Sequence, residues 1–401
     1  MADLVAYAMA MNPGLLAARE EHMAARSMAA GARSWPDPNL TYKYNLEPVE
    51  TPMGPQQNAF VVTQMIPAPG MPGARAAVAD AEIAVRHAGL ARREAGIRDQ
   101  IRRLYAELYL RHREVALQGE NVTRLQGLEP VITAAYEAGT AAYADLLSIQ
   151  VETARAAEDL AAARDGRDAM AAELNAVLGR PPAELLPVPV LPDLDIAALV
   201  ALDDPALLFR LRAESPALAE ARARIEQAGR AAYRAAIMDR PDIMIGAEWT
   251  IVGRSNMPVD DNGRDMVMVM LGLDIPLFRG KYRAEEESAR AMERAARAEA
   301  HDMETMLLAE ARNHLRDLTA TGRRIALFRD DLLPKAQQAF EVGRTAFATG
   351  KAGFAELIDA QGEIIDLALM LEQERAMQAN ALSALGVIIN IDQTLFKDTK
   401  P

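Results

Sequence analysis

The chain is 401 residues long and half hydrophobic but only 5% aromatic, with Ala, Glu, Arg and Leu prominent, a composition that suits long helices better than a compact mixed fold. Its net charge of −13 argues against nucleic acid as a partner. The absence of Cys excludes disulfides, thiolate metal sites, Cys nucleophiles and lipid attachment at Cys, and no apolar run reaches the roughly 18 residues of a transmembrane helix. Met1-Ala2-Asp3 leads straight into an amphipathic helical pattern, and no signal-peptide pattern is read in these residues.

In chain order, the first helix is expected over residues 4–32, with Pro13 in its early part and Trp35-Pro36-Asp37-Pro38 ending it. The period then changes from helical to alternating. Leu40, Tyr42, Tyr44 and Leu46 share one face while Thr41, Lys43 and Asn45 share the other, which predicts a strand with one apolar and one polar side. A loop over 47–57 leads to a second, less cleanly alternating strand over 59–66, so that 40–66 reads as a β-hairpin. After Pro67-Ala68-Pro69-Gly70 the pattern is helical up to Gly139, and Gly127 and Pro130 are expected to mark an irregularity or a helix junction on the way. A return helix runs from Tyr143 to Leu178 and stops at Gly179-Arg180-Pro181-Pro182.

The order then repeats. Residues 1–180 form a first repeat, the Pro-rich stretch 181–204 a linker, and 205–401 a second repeat. Ser215-Pro216 opens a helix as Asn12-Pro13 does, and Pro241 ends it. Within 243–275, Ile243, Ile245, Ala247, Trp249 and Ile251 alternate with Met244, Gly246, Glu248 and Thr250; then Val267, Val269, Leu271 and Leu273 alternate with Met266, Met268, Met270 and Gly272. Another very long helix reaches Gly350.

The plainest sign of duplication is a motif at the far end of each long helix. Tyr136-x-x-Gly139-x-x-x-Tyr143-Ala144-Asp145-Leu146-Leu147-x-x-Gln150 returns as Phe347-x-x-Gly350-x-x-x-Phe354-Ala355-Glu356-Leu357-Ile358-x-x-Gln361, with the glycines 211 residues apart. Each copy reads as the tip of a helical hairpin, with Gly taking the backbone geometry that other residues avoid. Beyond the second tip, Leu357, Ile364 and Leu371 keep the seven-residue spacing of a coiled-coil seam. Four strands with an apolar face cannot close a membrane barrel, which needs about eight, and open edges are not tolerated in lipid. The strands must therefore be completed by other copies of the chain.

In the order and duplication of these pieces the chain resembles the TolC family of outer-membrane efflux proteins. The matching pieces are Asn12-Pro13-x-Leu15 and Ser215-Pro216-x-Leu218 at helix starts, Gln64-x-Ile66-Pro67-x-x-Gly70 and Asp274-Ile275-Pro276-x-x-x-Gly280-Lys281 at strand-to-helix turns, and the two tip motifs. The resemblance implies a mainly α chain with a small β part. Its duplicated halves would form, as a homotrimer, a 12-stranded β-barrel continued by a long α-helical barrel. It also implies residence in the lipid of a Gram-negative outer membrane with extension into the periplasm, and hairpin tips (Gly139, Thr140, Gly350, Lys351) that meet a periplasmic adaptor and an inner-membrane pump. The implied role is that of a passive exit duct rather than an enzyme, without a cofactor. A periplasmic coiled-coil scaffold or adaptor is the alternative, against which the two apolar-faced strand pairs speak. The chain departs from the family at Met71, where Lys is common, and at Ala352, where some relatives carry Arg; family members also usually begin with a signal peptide, often followed by a lipidated Cys.

No catalytic constellation stands out. The five His (His22, His87, His112, His301, His314) lack HExxH spacing and read as surface or packing residues. Asp145, Glu356 and Asp359 beside the tips are candidates for a periplasmic gate, since three chains would turn each acid into a ring; carboxylates that merely cap or flank a turn are the structural alternative. Met244, Met266, Met268 and Met270 share one strand face and could line a lumen with soft thioether ligands for Cu(I), although packing accounts for them more simply.

Overall fold

The computed structural model describes residues 1–194 and 196–390, so that Asp195 of the linker and the last eleven residues of the second repeat, 391–401, lie outside the described residues. The chain divides into two compact units, each drawing on both halves of the sequence: one comprises residues 1–18, 89–219 and 303 onward, the other 19–88 and 220–302.

The second of these units holds the sheet. Four antiparallel strands, β1 (Asn39–Val49), β2 (Gln56–Ile66), β3 (Asp242–Val252) and β4 (Met266–Asp274), pair in sequence order, so the hairpins of the two repeats lie side by side through β2 and β3. The strands extend a few residues beyond the expected limits, leaving the first loop shorter than 47–57. Register brings the alternating positions into line: Tyr42 faces Phe60, Phe60 faces Trp249, and Trp249 faces Val267, with Leu40, Val62, Ala247 and Val269 in the next row. One continuous apolar face results, and it is uncovered, with Leu46 89%, Leu271 79% and Leu40 70% exposed. On the other face Lys43 pairs with Glu248 at 3.0 Å. Where β2 passes into a helix, Asp242 Oδ1 accepts the Ala68 N–H at 2.7 Å and Arg240 donates to the Pro69 carbonyl at 2.8 Å, over a small core of Ala68, Met71, Ala74 and Ile237.

The other unit is helical and carries the duplication in its core. The first helix is in fact two, α1 (Ala2–Met11) and α2 (Pro13–Gly31). The reason is Asn12: it sits in extended geometry (φ −63°, ψ 120°), its Oδ1 accepts the Leu15 N–H at 3.0 Å, and its Nδ2 donates to the Val177 carbonyl at 2.8 Å. An Asn cap followed by Pro at the first helical position starts a new helix instead of bending an old one. Ser215 does the same between α6 (Asp204–Glu214) and α7 (Pro216–Ala236), and a single turn, α5 (Ala197–Val200), lies within the linker. The long helices are α3 (Met71–Glu137) and α4 (Tyr143–Leu178) in the first repeat, and α8 (Arg279–Leu327), α9 (Leu333–Ala348) and α10 (Phe354–Ile389) in the second. Leu4 and Ala8 of α1 pack on Ile101, Leu108, Leu174 and Leu178 of α3 and α4. Leu207 and Leu211 of α6 pack in the same manner on Leu315, Leu318, Leu382 and Leu385 of α8 and α10.

The two prolines of the ascending helices behave differently. Helix α3 runs continuously through Gly127 and Pro130, so the expected junction is not there; Pro130 removes one N–H from the ladder without ending the helix. The irregularity lies instead in the second repeat, where a π-helical turn, Phe328–Leu332, precedes Pro334. A π turn takes up one more residue than an α turn. The second ascending path, residues 279–348, is longer than the 67 residues of α3, and the widened turn lies within it. The return paths match more closely: Gly139 to Gly179 and Gly350 to Asn390 both span 40 residues, and all four ends are left-handed.

Candidate functional site

Both hairpin tips are built alike. At the first, Gly139 has φ +73°, its N–H reaches the Tyr136 carbonyl at 2.9 Å, and the Thr140 N–H reaches Ala135 at 2.9 Å. At the second, Gly350 has φ +72°, bonding to Phe347 at 2.9 Å while Lys351 bonds to Ala346 at 2.8 Å. This pairing of the last helical carbonyls is the Schellman closure, which requires a left-handed residue and therefore selects Gly. A Cβ at either glycine would meet nothing within 4 Å in the chain itself.

The aromatic residues of the repeated motif bridge each turn, Tyr136 to Tyr143 at 5.8 Å and Phe347 to Phe354 at 6.4 Å between ring centres. Their surroundings differ. Phe347 and Phe354 are buried with Leu128, Ile132, Ile149, Leu357 and Ile364, where the two hairpins pack together, whereas Tyr136 and Tyr143 are exposed. Thr140 adds a hydroxyl bond to the Ala135 carbonyl at 3.0 Å, and the Lys351 side chain is exposed.

The three candidate acids part company. Asp145 Oδ2 accepts the Ala142 N–H at 2.9 Å, so this half-buried carboxylate caps the start of α4, where its charge also meets the positive end of the helix dipole. Glu356 and Asp359 are both exposed and, three residues apart on α10, share a helical face. The second turn has no corresponding side-chain cap, leaving Glu356 extended into solvent.

Behind the tips, α3 and α10 are joined by buried polar contacts that link positions 240 to 284 residues apart in sequence, and sequence reading missed them. Gln361 donates to Asn121 at 3.2 Å, Glu372 accepts the Tyr109 hydroxyl at 2.6 Å and Arg113 at 3.0 Å, and the Ser383 hydroxyl donates to Asp99 at 2.8 Å. Glu372 also lies 3.6 Å from Arg375. Burial, and then the hydrogen bond to Glu372, push the Tyr109 hydroxyl up to about 12. Such partners could have been guessed only from Gln361, Glu372 and Ser383 recurring every eleven residues along α10.

On the sheet, Met244, Met266, Met268 and Met270 do share the polar-side face, and Met65, opposite Met244, joins them. The methyl ends of Met270 and Met244 lie over Gly246 and Gly272, within about 3 Å of where a Cβ would stand. They fill the spaces these glycines leave, the packing expected of a flexible thioether. Among the described residues no group of three or more His, Asp or Glu could hold a metal, and no helix is long and apolar enough to cross a membrane.

Residues 207–390 match the family model of outer membrane efflux proteins. Among solved structures, the chain is similar to the outer membrane protein VceC of Vibrio cholerae at 18% identity and TM-score 0.78, covering 96% of this chain and 95% of that one. A membrane protein from Pseudomonas aeruginosa gives 16% identity and TM-score 0.81 over 96% and 92%. The MtrE outer membrane channel of Neisseria gonorrhoeae, in its open state, gives 14% and 0.76 over 100% and 90%. No curated protein sequence matches. The chain thus has the duplicated fold of these outer-membrane channels, mainly helical with a small antiparallel sheet.

Proposed function

We propose that three copies of this chain form an outer-membrane exit duct of a tripartite efflux or secretion system in a Gram-negative bacterium. It would pass substrates without energy input of its own from an inner-membrane pump and its periplasmic adaptor to the exterior. The observation that carries this reading is the sheet: four strands, three of them 11 residues long, with an uncovered apolar face and open edges at β1 and β4. Strands of about 9–11 residues cross a bilayer, and 12 strands from three chains would leave no edge. The row of Tyr42, Phe60 and Trp249, with centres 5.1 and 5.9 Å apart, runs across this uncovered face, large aromatic side chains of the kind an outward, lipid-facing barrel surface carries.

The purified protein is accordingly expected to require detergent, to run as a trimer and to conduct in a planar bilayer. A monodisperse monomer in detergent-free buffer, measured by light scattering, would refute the reading.

The tips supply the docking surface in this proposal, through Gly139, Thr140, Gly350, Lys351 and the exposed Tyr136–Tyr143 pair. Because nothing in the chain crowds the two glycines, Gly139→Leu and Gly350→Leu incur only the left-handed backbone penalty, about 1–2 kcal/mol, which a packed trimer can bear. Pump-dependent resistance should nevertheless fall to the level of a strain lacking the duct, since a partner approaching the backbone would meet the new side chain. Gly350→Asn separates the causes, for Asn tolerates the left-handed geometry and still blocks close approach. Full resistance in all three variants at normal trimer yield would reduce these glycines to local turn residues.

A further inference from the structure

His22 and His87, 65 residues apart in sequence, are brought together where α2 runs antiparallel to the beginning of α3. Their ring centres are 5.7 Å apart with the planes tilted by 58°. The Nδ1 of His22 is buried and has no hydrogen-bond partner, an unsatisfied position that a packed helix pair ordinarily avoids. Beside them, Arg86 pairs with Glu82 at 2.7 Å and lies 3.7 Å from Glu21, so its charge is matched by two carboxylates.

We propose that His22 and His87 form a two-imidazole site for a borderline divalent transition-metal cation of the Zn(II), Cu(II) or Ni(II) class. A metal bound at about 2.0–2.1 Å from a ring nitrogen lies roughly 3.2 Å from that ring's centre. Two such distances span the observed 5.7 Å when the angle at the metal is about 125°, a little wider than tetrahedral. Neutral imidazole suits these ions better than Mg(II) or Ca(II), which take oxygen ligands. With no third His, Asp or Glu grouped with the pair among the described residues, the remaining positions fall to water, and an accessible site results rather than a closed structural one. The exposure of His87 provides the access.

The test is calorimetric titration of the full chain, tag-free and in detergent, with Zn(II) or Cu(II) alone, alongside the Cu(II) electron paramagnetic resonance spectrum. One ion per chain is expected, with hyperfine structure from two nitrogens. His22→Gln and His87→Gln should each weaken binding at least tenfold and reduce the nitrogen pattern to one, while His112→Gln leaves both unchanged. Circular dichroism checks that helicity is kept; if His22→Gln misfolds, the exposed His87 position alone decides. No binding by the parent chain, or binding by His87→Gln as tight as by the parent, would overturn the proposal.

Discussion

Replacing Glu372 by alanine should lower the unfolding free energy by about 3 kcal/mol, the size expected when one member of a buried charged cluster is removed and the others stay. The carboxylate is 4% exposed and holds three side chains at once: the Tyr109 hydroxyl at 2.6 Å, Arg113 at 3.0 Å and Arg375 at 3.6 Å. Without it the buried Tyr109 hydroxyl loses its acceptor, costing about 1–3 kcal/mol. Arg113 can turn to water, which keeps the total from rising further. Glu372→Gln retains an acceptor for Tyr109 but not the charge, and should fall between parent and alanine variant in urea or thermal unfolding. A midpoint for Glu372→Ala equal to the parent's would mean that the cluster contributes no net stability. A pH dependence follows from the raised Tyr109 pKa. A pKa raised on folding adds stability that is fully present below the unfolded value of 10.0 and is lost as the pH rises through about 12. This alkaline loss should be absent in Tyr109→Phe.

If three chains assemble into the proposed duct, neutralising Glu356 and Asp359 together should abolish most of its cation selectivity. Both acids are exposed on one face of α10 next to a tip, so threefold assembly would gather six carboxylates around a narrow opening, with the capping Asp145 adding three more in the neighbouring hairpins. A ring of fixed negative charge attracts cations, repels anions and binds multivalent cations at the mouth. Glu356→Gln with Asp359→Asn leaves the helix and its packing intact, since neither side chain is buried. Bilayer recordings should show strong cation preference and block by multivalent cations in the parent, and both much reduced in the double variant. Equal selectivity and block in the two proteins would place the constriction elsewhere. Asp145→Asn should have the smaller electrical effect, because this carboxylate is half-buried against the start of its own helix, and the amide oxygen can still accept the Ala142 N–H so that the turn is kept.

Much of this architecture is legible in the sequence because it is written in short-range periods. The alternation of Leu40, Tyr42 and Tyr44 is a property of neighbouring residues, and so is the glycine of each tip, whose left-handed backbone is a local demand. Their recurrence at long separation then discloses the duplication. Asn12 was legible as a helix start and misread as lying within one, since the side-chain bond that breaks the helix goes to Val177, 165 residues away. Pro130 and Pro334 look alike in sequence, yet only the second is preceded by a π turn, which no pattern local to either proline announces. Asp145 and Glu356 occupy matching motif positions, yet the shorter acid reaches back to its own backbone while the longer one has no such bond. The Tyr109–Glu372 cluster and the His22–His87 pair were beyond reach for a common reason: their members lie on different helices, and nothing local to either constrains the other.

The contacts of α10 follow two pitches at once. Its apolar seam, Leu357, Ile364 and Leu371, repeats every seven residues, and its polar contacts with α3, at Gln361, Glu372 and Ser383, repeat every eleven. Two scales of unequal division laid along one edge behave as a vernier. Sliding by seven residues would superpose positions of the apolar seam but carry Glu372 away from Tyr109 and Arg113. Seven and eleven coincide only after roughly 77 residues, about twice the 36 residues of α10. Along the whole helix, then, a single alignment satisfies both scales. The buried polar contacts thus act as a second scale beside the apolar seam, and together the two specify how α10 aligns with residues 99–121 of α3.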